Sequence, residues 1–350
     1  MADEPETKKA KLNFDMEKLK NELKSSRTNL TAVLSDEFES PIEYVQVFIG
    51  NINDKRKLSM LIKLLNERMP LKELQHLKRV NKNHVLLSLV EENQEEQVKD
   101  MLHERIPELL DTFDSIKEVS VPVNPPKSRR QYVEANQKWP CNYHPNKYLE
   151  KLLSHSFFEP NELTQHRLLM SVAFDAAQSH FKSKNQEVNQ DSLHNFNVAI
   201  VYDPLIKSIV TISIDNRENH PIQHASMITI DNVAKTQNGG SWLNNSNEIL
   251  DNLKQTYPDL KFGNRHYLTK RETSEKELEC PYLCTGYYIY LLREPCVMCS
   301  MGLVHARIKR VFFCYKNEEQ GALISKDKLH CVPFLNHHFE ALIFTTSSAE

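Results

Sequence analysis

Glycine is scarce in this chain, with 7 residues among 350, and no two of them stand in a G-x-G arrangement. Phosphate-cradling loops and dinucleotide-binding turns both depend on closely spaced glycines. The sequence therefore shows no sign of a nucleotide-binding loop of either kind.

Long apolar runs are missing as well, since no stretch of about 18 apolar residues is available to span a membrane. Residues 1–4 are polar and do not begin an apolar signal core. The 7 cysteines are odd in number and lack the spacing of a disulfide framework. We therefore expect no membrane association and a reducing compartment, which places the protein in the cytoplasm and the nucleus.

Neither sign of charge dominates, because the chain has 44 Lys and Arg residues and 47 Asp and Glu residues, for a net charge of -3. Bulk electrostatics gives no indication of a nucleic-acid binder, so any RNA contact must come from local basic patches. Hydrophobic residues make up 40% of the chain, enough for two cores, and a length of 350 residues suggests two domains.

The most informative stretch is Pro295-Cys296-Val297-Met298-Cys299, whose two cysteines stand three apart at a predicted helix start. This spacing puts both thiolates on one face of the helix. His224, at the start of a second predicted helix, can supply a third ligand. Three protein ligands with one open position are typical of a catalytic zinc, whereas structural zinc usually takes four. We predict that His224, Cys296 and Cys299 bind Zn²⁺.

A serine stands where this motif normally has its general acid/base. Zinc-dependent nucleobase deaminases carry H-x-E and then P-C-x-x-C, and their glutamate moves protons between the zinc-bound water and the base. Here the first part of the motif is His224-Ala225-Ser226. A serine hydroxyl is too weak an acid and base to shuttle this proton near neutral pH. The sequence predicts a deaminase fold with a metal site and no catalytic residue.

Residues 284–308 carry a more specific likeness. The runs 284–287, 293–296 and 303–308, and the later segment 335–339, resemble the third-subunit type of tRNA-specific adenosine deaminase. The likeness covers residues 137–350 well and the first third loosely, although that family more often has an aliphatic residue at the position of Ser226. It implies a cytidine-deaminase-like α/β/α sandwich that holds zinc. It also implies tRNA as a partner, and a catalytic subunit with H-x-E and P-C-x-x-C that makes inosine at the wobble position.

The pattern along the chain predicts two folded domains. Residues 1–40 are polar and are expected to form a disordered tail. Residues 41–123 follow the order β-α-β-β-α-β, which favours a ferredoxin-like α+β domain over a mixed domain of other topology. Its local basic residues and the family resemblance make this domain the expected tRNA contact. Residues 124–150 have the composition of a basic linker. Residues 151–350 are the deaminase-like domain, with a flexible insertion at 236–281.

Basic residues collect in three places, where we predict RNA contact through phosphates. The aromatic residues Trp139, Tyr143 and Tyr148 lie among one group. They fit single-strand RNA binding, or more commonly the docking of a linker onto its own domain. The predicted RNA-binding residues are Lys72, Lys78, Arg79, Lys82, Lys127, Arg129, Arg130, Lys138, Arg307, Lys309 and Arg310.

Three functional hypotheses follow, and we favour a non-catalytic subunit that pairs with an active tRNA adenosine deaminase. The second is a free-standing deaminase that uses Asp215 or Glu218, on the loop before His224, as an unusual base. The third is a zinc-stabilised RNA-binding protein without a deaminase partner. The two motif cysteines are alternatively buried structural thiols or a redox pair. Cys280 and Cys284 form a second candidate metal pair for which no fourth ligand is evident.

Overall fold

The computed structural model describes residues 20–23, 28–90, 95–154, 156–185, 196–242, 247–265 and 281–346. The chain divides into two compact units. The smaller is Ser35–Lys151, and the larger combines Met1–Leu34 with Leu152–Glu350. Within the described ranges, no helix has both the length and the apolar character needed to cross a membrane.

The strands and helices are numbered in chain order. The strands are β1 (Thr28–Val33), β2 (Tyr44–Ile52), β3 (Val80–Asn81), β4 (His84–Leu89), β5 (Phe113–Pro122), β6 (Val198–Asp203), β7 (Ser208–Ile214), β8 (Lys261–Phe262), β9 (Tyr288–Arg293), β10 (Arg310–Tyr315) and β11 (Glu340–Thr346). The helices are α1 (Asp36–Glu39), α2 (Leu58–Arg68), α3 (Glu95–Arg105), α4 (Arg129–Lys138), α5 (Lys147–Leu153), α6 (Pro160–Ser183), α7 (Ala225–Lys235), α8 (Asn247–Thr256) and α9 (Val297–His305).

The smaller unit contains a four-stranded antiparallel sheet in the order β3-β4-β2-β5. Its elements follow one another as β2-α2-β3-β4-α3-β5, which confirms the predicted order of the ferredoxin-like unit. Helices α2 and α3 cover one face of the sheet, where Leu61 and Leu65 of α2 and Val98 of α3 pack against Phe48. The i, i+4 spacing of the two leucines puts both on the buried side of their helix.

The segment predicted as a basic linker covers the other face of this sheet. Val47 of the sheet packs in one core cluster with Ala135 of α4 and with Trp139. The indole of Trp139 donates a hydrogen bond to the carbonyl oxygen of Lys78 at 2.7 Å. The linker assignment of residues 124–150 is wrong, because the second sheet face is also apolar and helix α4 removes it from water. The docking explanation for Trp139 is the one that the structure supports.

The larger unit is built on a seven-stranded sheet in the order β1-β11-β10-β9-β6-β7-β8. Strands β9, β10 and β11 run parallel to one another, and β6 is antiparallel to both β7 and β9. Helix α6 packs on one face through residues such as Leu169 and Phe174. Helices α7 and α9 pack on the other face through Val233 and Leu303. This arrangement is the predicted α/β/α sandwich.

Strand β1 lies in a region that was predicted as a disordered tail, and for β1 that prediction is wrong. All 6 residues of β1 pair antiparallel with β11 at the other end of the chain. Leu30 and Val33 point into the two cores on opposite faces of the sheet. A partner more than 300 residues away leaves no local signal in a polar segment. Residues 1–19 and 24–27 lie outside the described residues.

Part of the predicted flexible insertion is also ordered. Leu253 of helix α8 and Tyr257, the residue just after the helix, lie four residues apart and pack against the core on the α6 side of the sheet. Strand β8 extends the sheet by pairing parallel with β7. The flexible assignment is therefore wrong for α8 and β8. A short apolar stripe anchors the otherwise polar helix α8 to the core. Residues 266–280 of the insertion lie outside the described residues.

Replacing Leu30 with alanine should lower the free energy of unfolding by about 2–4 kcal/mol, because a buried side chain leaves a cavity between β1 and the core. Asn29→Ala, one residue away on the exposed side of β1, should change it by less than about 0.5 kcal/mol. Urea unfolding followed by circular dichroism measures both. Equal effects of the two substitutions would show that β1 is not packed in the sheet.

Candidate metal centre

Two helix N-termini hold the predicted ligands side by side. His224 is the N-cap residue of α7, Cys296 is the N-cap residue of α9, and Cys299 follows one turn later. The candidate ligand atoms of the three side chains all lie within 4.8 Å of one another. His224 Nδ1 lies 3.7 Å from Cys296 Sγ. One imidazole and two thiols at these separations fit a tetrahedral zinc with one position left for another group.

Close packing of α7 against α9 produces this geometry. Gly302 of α9 faces α7, where an added Cβ would lie 2.8 Å from Met227 Sδ and 3.4 Å from Ile230 Cδ1. A larger residue there would require the Met227 side chain to move. The glycine at position 302 therefore allows the two ligand-bearing helices to approach closely.

Hydrogen bonds among the ligands set the protonation of the thiols. The hydrogen bond from Cys299, with a further contribution from His224, lowers the pKa of Cys296 to about 4 although burial opposes it. The pKa of Cys299 is raised, because this thiol donates to Cys296 and is buried. Cys296 is thus held as the thiolate, the form in which a cysteine binds a metal.

Ser226 is 2% exposed and lies in the first turn of α7. Its hydroxyl hydrogen-bonds to Cys299 and works against the rise in the pKa of that thiol. The position that holds a carboxylate in H-x-E deaminases therefore holds a hydroxyl that contacts a ligand sulfur. Sequence reasoning identified the missing glutamate but not this contact.

Asp215, a candidate replacement base, has both oxygens engaged. Oδ1 accepts a hydrogen bond from the Ala225 N–H at 2.7 Å, and Oδ2 pairs with Arg217 at 2.7 Å. Burial raises the pKa of Asp215, and Arg217, the Ala225 N–H and His224 all oppose this rise. The carboxylate thus ties the start of α7 to Arg217 at the edge of the site.

Glu218, the other candidate base, points away from the ligands. Its side chain is 76% exposed and pairs with Lys184 at 2.9 Å. It does not line the cavity that the ligands face. Sequence position suggested it, but the structure does not bring it to the metal centre.

The cavity in front of the ligands is small. The cavity volume is about 30 Å³, which is room for about two water molecules and too little to enclose a purine base. Arg217, Arg293 and Glu319 are among the side chains that line it. None of the three lies on a ligand helix, because Arg217 is on the segment before α7, Arg293 ends β9 and Glu319 is on the loop after β10.

Glu294 fastens the loop after β10 beside this cavity. Its buried carboxylate accepts backbone hydrogen bonds through Oε1 from Leu323 at 2.8 Å, Ile324 at 2.6 Å and Ser325 at 3.0 Å. Oε2 accepts from the Asn317 N–H at 3.0 Å and from the Ser325 hydroxyl. The sequence indicated only that Glu294 cannot replace the missing base, whereas the structure shows it organising a whole loop.

The same loop is attached directly to the ligand-bearing turn. Gly321 forms an isolated β-bridge with Cys296, and the Ala322 N–H donates to the Pro295 carbonyl at 3.0 Å. A Cβ at position 321 would overlap the Glu294 carboxylate. Glycine is thus required there for the loop to approach so closely.

Two of the predicted RNA-binding residues are used inside the protein instead. Arg79 donates to the carbonyl oxygens of Met69 and Leu86, both at 2.8 Å, and burial lowers its pKa to about 10. Arg310 donates to Glu340 at 2.5 Å and to the Tyr288 hydroxyl at 2.9 Å. Their assignment to RNA is wrong, because sequence shows the charge of an arginine but not its partners.

The remaining predicted RNA-binding residues are exposed and stay predictions. They are Lys72, Lys78, Lys82, Lys127, Arg129, Arg130 and Lys138 in the smaller unit and Arg307 and Lys309 in the larger.

The second candidate cysteine pair is not supported by Cys284, the one of its two residues that the structure describes. Cys284 is buried, which raises its pKa to about 12. Across the described ranges, His224, Cys296 and Cys299 are the one group of three or more metal-ligating side chains that comes together. Cys280 lies outside those ranges.

Glu294→Gln should loosen the loop from Asn317 to Ser325, because an amide lacks the carboxylate charge and directs two N–H donors at backbone donors. We expect the free energy of unfolding to fall by about 1–3 kcal/mol. Hydrogen exchange should accelerate at the amides of Leu323 and Ile324. Glu318→Gln, an exposed residue of the same loop, is the control. Unchanged exchange in Glu294→Gln would contradict the role of this carboxylate.

Comparison with known proteins agrees with this site. Residues 45–139 match the model of the tRNA-specific adenosine deaminase TAD3 N-terminal domain, and residues 163–315 match the cytidine and deoxycytidylate deaminase zinc-binding region. The chain is 34% identical over 322 residues to a Danio rerio protein named "Probable inactive tRNA-specific adenosine deaminase-like protein 3", which covers 88% of this chain and 89% of the relative.

Two further relatives point the same way. The Homo sapiens protein of the same name is 30% identical over 321 residues, covering 88% of this chain and 87% of the relative. The Schizosaccharomyces pombe "tRNA-specific adenosine deaminase subunit tad3" is 28% identical over 224 residues, covering 63% and 57%. These matches confirm the resemblance found in the sequence. The chain belongs to the TAD3 family of tRNA-specific adenosine deaminase-like proteins.

Proposed function

We propose that this chain is a non-catalytic, zinc-binding subunit of a heterodimeric tRNA deaminase that converts adenosine to inosine at the wobble position. The observation that carries the proposal is a complete ligand cluster of His224, Cys296 and Cys299 beside a serine at the general acid/base position. The names of its relatives support it, since they include an inactive deaminase-like protein and a deaminase subunit.

The donor set supports zinc as the metal. Two cysteines and one histidine are ligands that zinc accepts in deaminases, where the fourth position takes a water. Zinc bound there supplies a Lewis acid that lowers the pKa of this water. His224, Cys296 and Cys299 would hold the ion, and the hydroxyl of Ser226 would support the Cys299 sulfur.

Among the residues that the structure describes, neither the serine at the motif position nor the two candidate bases is placed to carry the proton that deamination must move. The Ser226 hydroxyl is too weakly acidic and basic. Asp215 is held by the Ala225 N–H and by Arg217, and Glu218 lies at the surface with Lys184. These contacts disfavour a free-standing deaminase with an unusual base. The small cavity adds a second obstacle, because a flipped adenine has no room beside the ligands.

A metal without catalysis still has a structural use. Its ligands come from two helices whose N-terminal ends meet. The ion would therefore fix α7 to α9 and preserve the surface that these two helices form. Binding energy of this kind adds to the stability of the folded state. We infer that zinc here maintains a shape that the catalytic partner recognises.

The partner in this proposal is a deaminase chain with H-x-E and P-C-x-x-C, and it supplies the catalytic glutamate. The exposed basic residues of the smaller unit would add affinity for tRNA through phosphate contacts. The complex would work in the cytoplasm and the nucleus. Without a deaminase partner, the same features would make a zinc-stabilised RNA-binding protein, so identification of co-purifying chains separates the two functions.

The purified chain should contain about one zinc ion, measured by elemental analysis. Cys296→Ala and Cys299→Ala should lose the metal and unfold at lower temperature, because the clamp between α7 and α9 is gone. Cys331→Ala, outside the ligand cluster, should keep both metal and stability. A metal-free wild-type chain that is well folded would refute the zinc assignment.

Ser226→Glu should not produce a deaminase, although it restores H-x-E. General acid/base catalysis contributes roughly 10²- to 10⁴-fold, but the reaction also needs a pocket that receives the flipped base. The cavity is too small for that base, and Arg217 and Glu319 stand at its wall. We expect trace activity at most from the variant alone.

The assay compares inosine formation in tRNA by four species. They are the wild-type complex, Ser226→Glu alone, Ser226→Glu in the complex, and a complex whose catalytic subunit lacks its H-x-E glutamate. Activity is expected only where the partner's glutamate is present. Full activity in the fourth species would overturn the non-catalytic assignment, and strong activity of Ser226→Glu alone would show that the pocket is intact.

A further inference from the structure

A turn before β9 and the end of α9 form one exposed surface on the larger unit. Tyr282 in the turn is 65% exposed. The guanidinium carbon of Arg307, just after α9, lies 5.4 Å from the centroid of the tyrosine ring. The Cys284 N–H donates to the Ala306 carbonyl at 2.9 Å and joins the two segments. We call residues 281–286 and 305–309 the Tyr282 platform.

The backbone of the platform is strained at two positions. Leu283 has a φ of 45° and Arg307 has a φ of 59°, in the left-handed region that favours glycine. Arg307 occupies the position just after a helix, where glycine is the usual residue. An arginine there costs stability compared with glycine, and strained residues of this kind cluster at functional sites.

Contacts from a neighbouring helix end hold the turn in one shape. The side chain of Gln237 accepts from the Leu283 N–H at 3.0 Å and donates to the Leu283 carbonyl at 2.9 Å. The Thr285 hydroxyl donates to the Tyr282 carbonyl at 2.7 Å. The exposed ring of Tyr282 is therefore presented from a fixed turn. A ligand that meets a fixed surface loses little affinity to ordering it.

The exposed side chains of the platform are suited to nucleic acid. They comprise one tyrosine ring, one imidazole, two permanent cations and one hydroxyl, with no exposed aliphatic residue and no Asp or Glu in either segment. The exposed residues are Tyr282, Thr285, His305, Arg307 and Lys309. Unstacked RNA bases stack on aromatic rings and on arginine planes, and lysine contacts the phosphates. Protein interfaces instead centre on an apolar core, which this surface lacks.

We propose that the Tyr282 platform binds a single-stranded nucleotide of the tRNA substrate. Tyr282 and Arg307 stack on an unpaired base, and Lys309 contacts a neighbouring phosphate. This inference rests on the proposed function and adds to it a base-stacking contact on the deaminase-like unit, separate from the basic residues of the smaller unit.

The first test measures binding of a tRNA transcript with adenosine at the wobble position to the full-length chain, alone and with its catalytic subunit. Tyr282→Ala should weaken binding about 5- to 100-fold, since stacking on one aromatic ring is lost. Tyr282→Phe keeps the ring and should stay within about 2-fold of wild type. Phe334→Ala is the matched control, because Phe334 is an aromatic residue that is 95% exposed and lies outside the platform.

The second variant, Arg307→Gly, separates an RNA contact from a structural role. Glycine relieves the left-handed backbone, so the melting temperature should stay the same or rise. The tRNA affinity should nevertheless fall, because the guanidinium plane that stacks on the base is lost. If the melting temperature falls and tRNA affinity does not, the arginine is structural and the proposal is overturned.

The remaining outcomes also decide the matter. If wild type binds tRNA and Tyr282→Ala binds equally well, the platform is not a tRNA site, while the proposed function stands. If wild type binds no tRNA either alone or with its partner, the platform and the proposed function both fail. If Tyr282→Ala loses the catalytic subunit but keeps tRNA affinity, the platform is a protein interface and the RNA proposal is overturned.

Discussion

The meeting of two helix N-termini determines most of what the larger unit can do. Helices α7 and α9 approach closely at Gly302, and their N-cap residues His224 and Cys296 come together at 3.7 Å. The N-terminal N–H groups and the positive ends of both helix dipoles converge at this point. The Ala225 N–H donates to the buried Asp215 carboxylate, and the hydrogen bonds of Cys296 to Cys299 and His224 lower the pKa of Cys296. The ligand cluster is thus a product of helix packing, and it forms here with Ser226 in place of a carboxylate.

Two independent features separate this site from a working deaminase. The first is chemical, since Ser226 provides a hydroxyl where proton transfer needs a carboxylate. The second is steric, because the loop held by Glu294 and the Arg217–Asp215 pair leave a cavity of about 30 Å³. A single substitution addresses only the first. The fold therefore keeps the ligand cluster of a deaminase beside a small cavity, with a serine at the position of the carboxylate.

The sequence predicted the features that depend on short spacings. P-C-x-x-C, the preceding strand and His224 at a helix start were enough to place the ligands, and alternating apolar residues were enough for the ferredoxin-like order. It did not predict features that depend on distant partners. Strand β1 needs β11 at the other end of the chain, and helix α4 needs the second face of a sheet made from three separate segments. In the sequence, Glu294 looked only like part of the motif. Its structural role was not predicted, because the five groups that donate to it lie 23 to 31 residues further on.

The pairing of β1 with β11 also sets the order in which the two units can fold during synthesis. The smaller unit is complete in sequence at Lys151, so it can fold while the rest of the chain is still being synthesised. The sheet of the larger unit must wait for Thr346, about 10–40 s later at about 5–20 residues per second. During that interval β1 has been made but lacks its partner strand. A nascent chain of this architecture therefore carries an unpaired strand just before, in sequence, a domain that can already have folded, and the larger unit is completed only once Thr346 has been made.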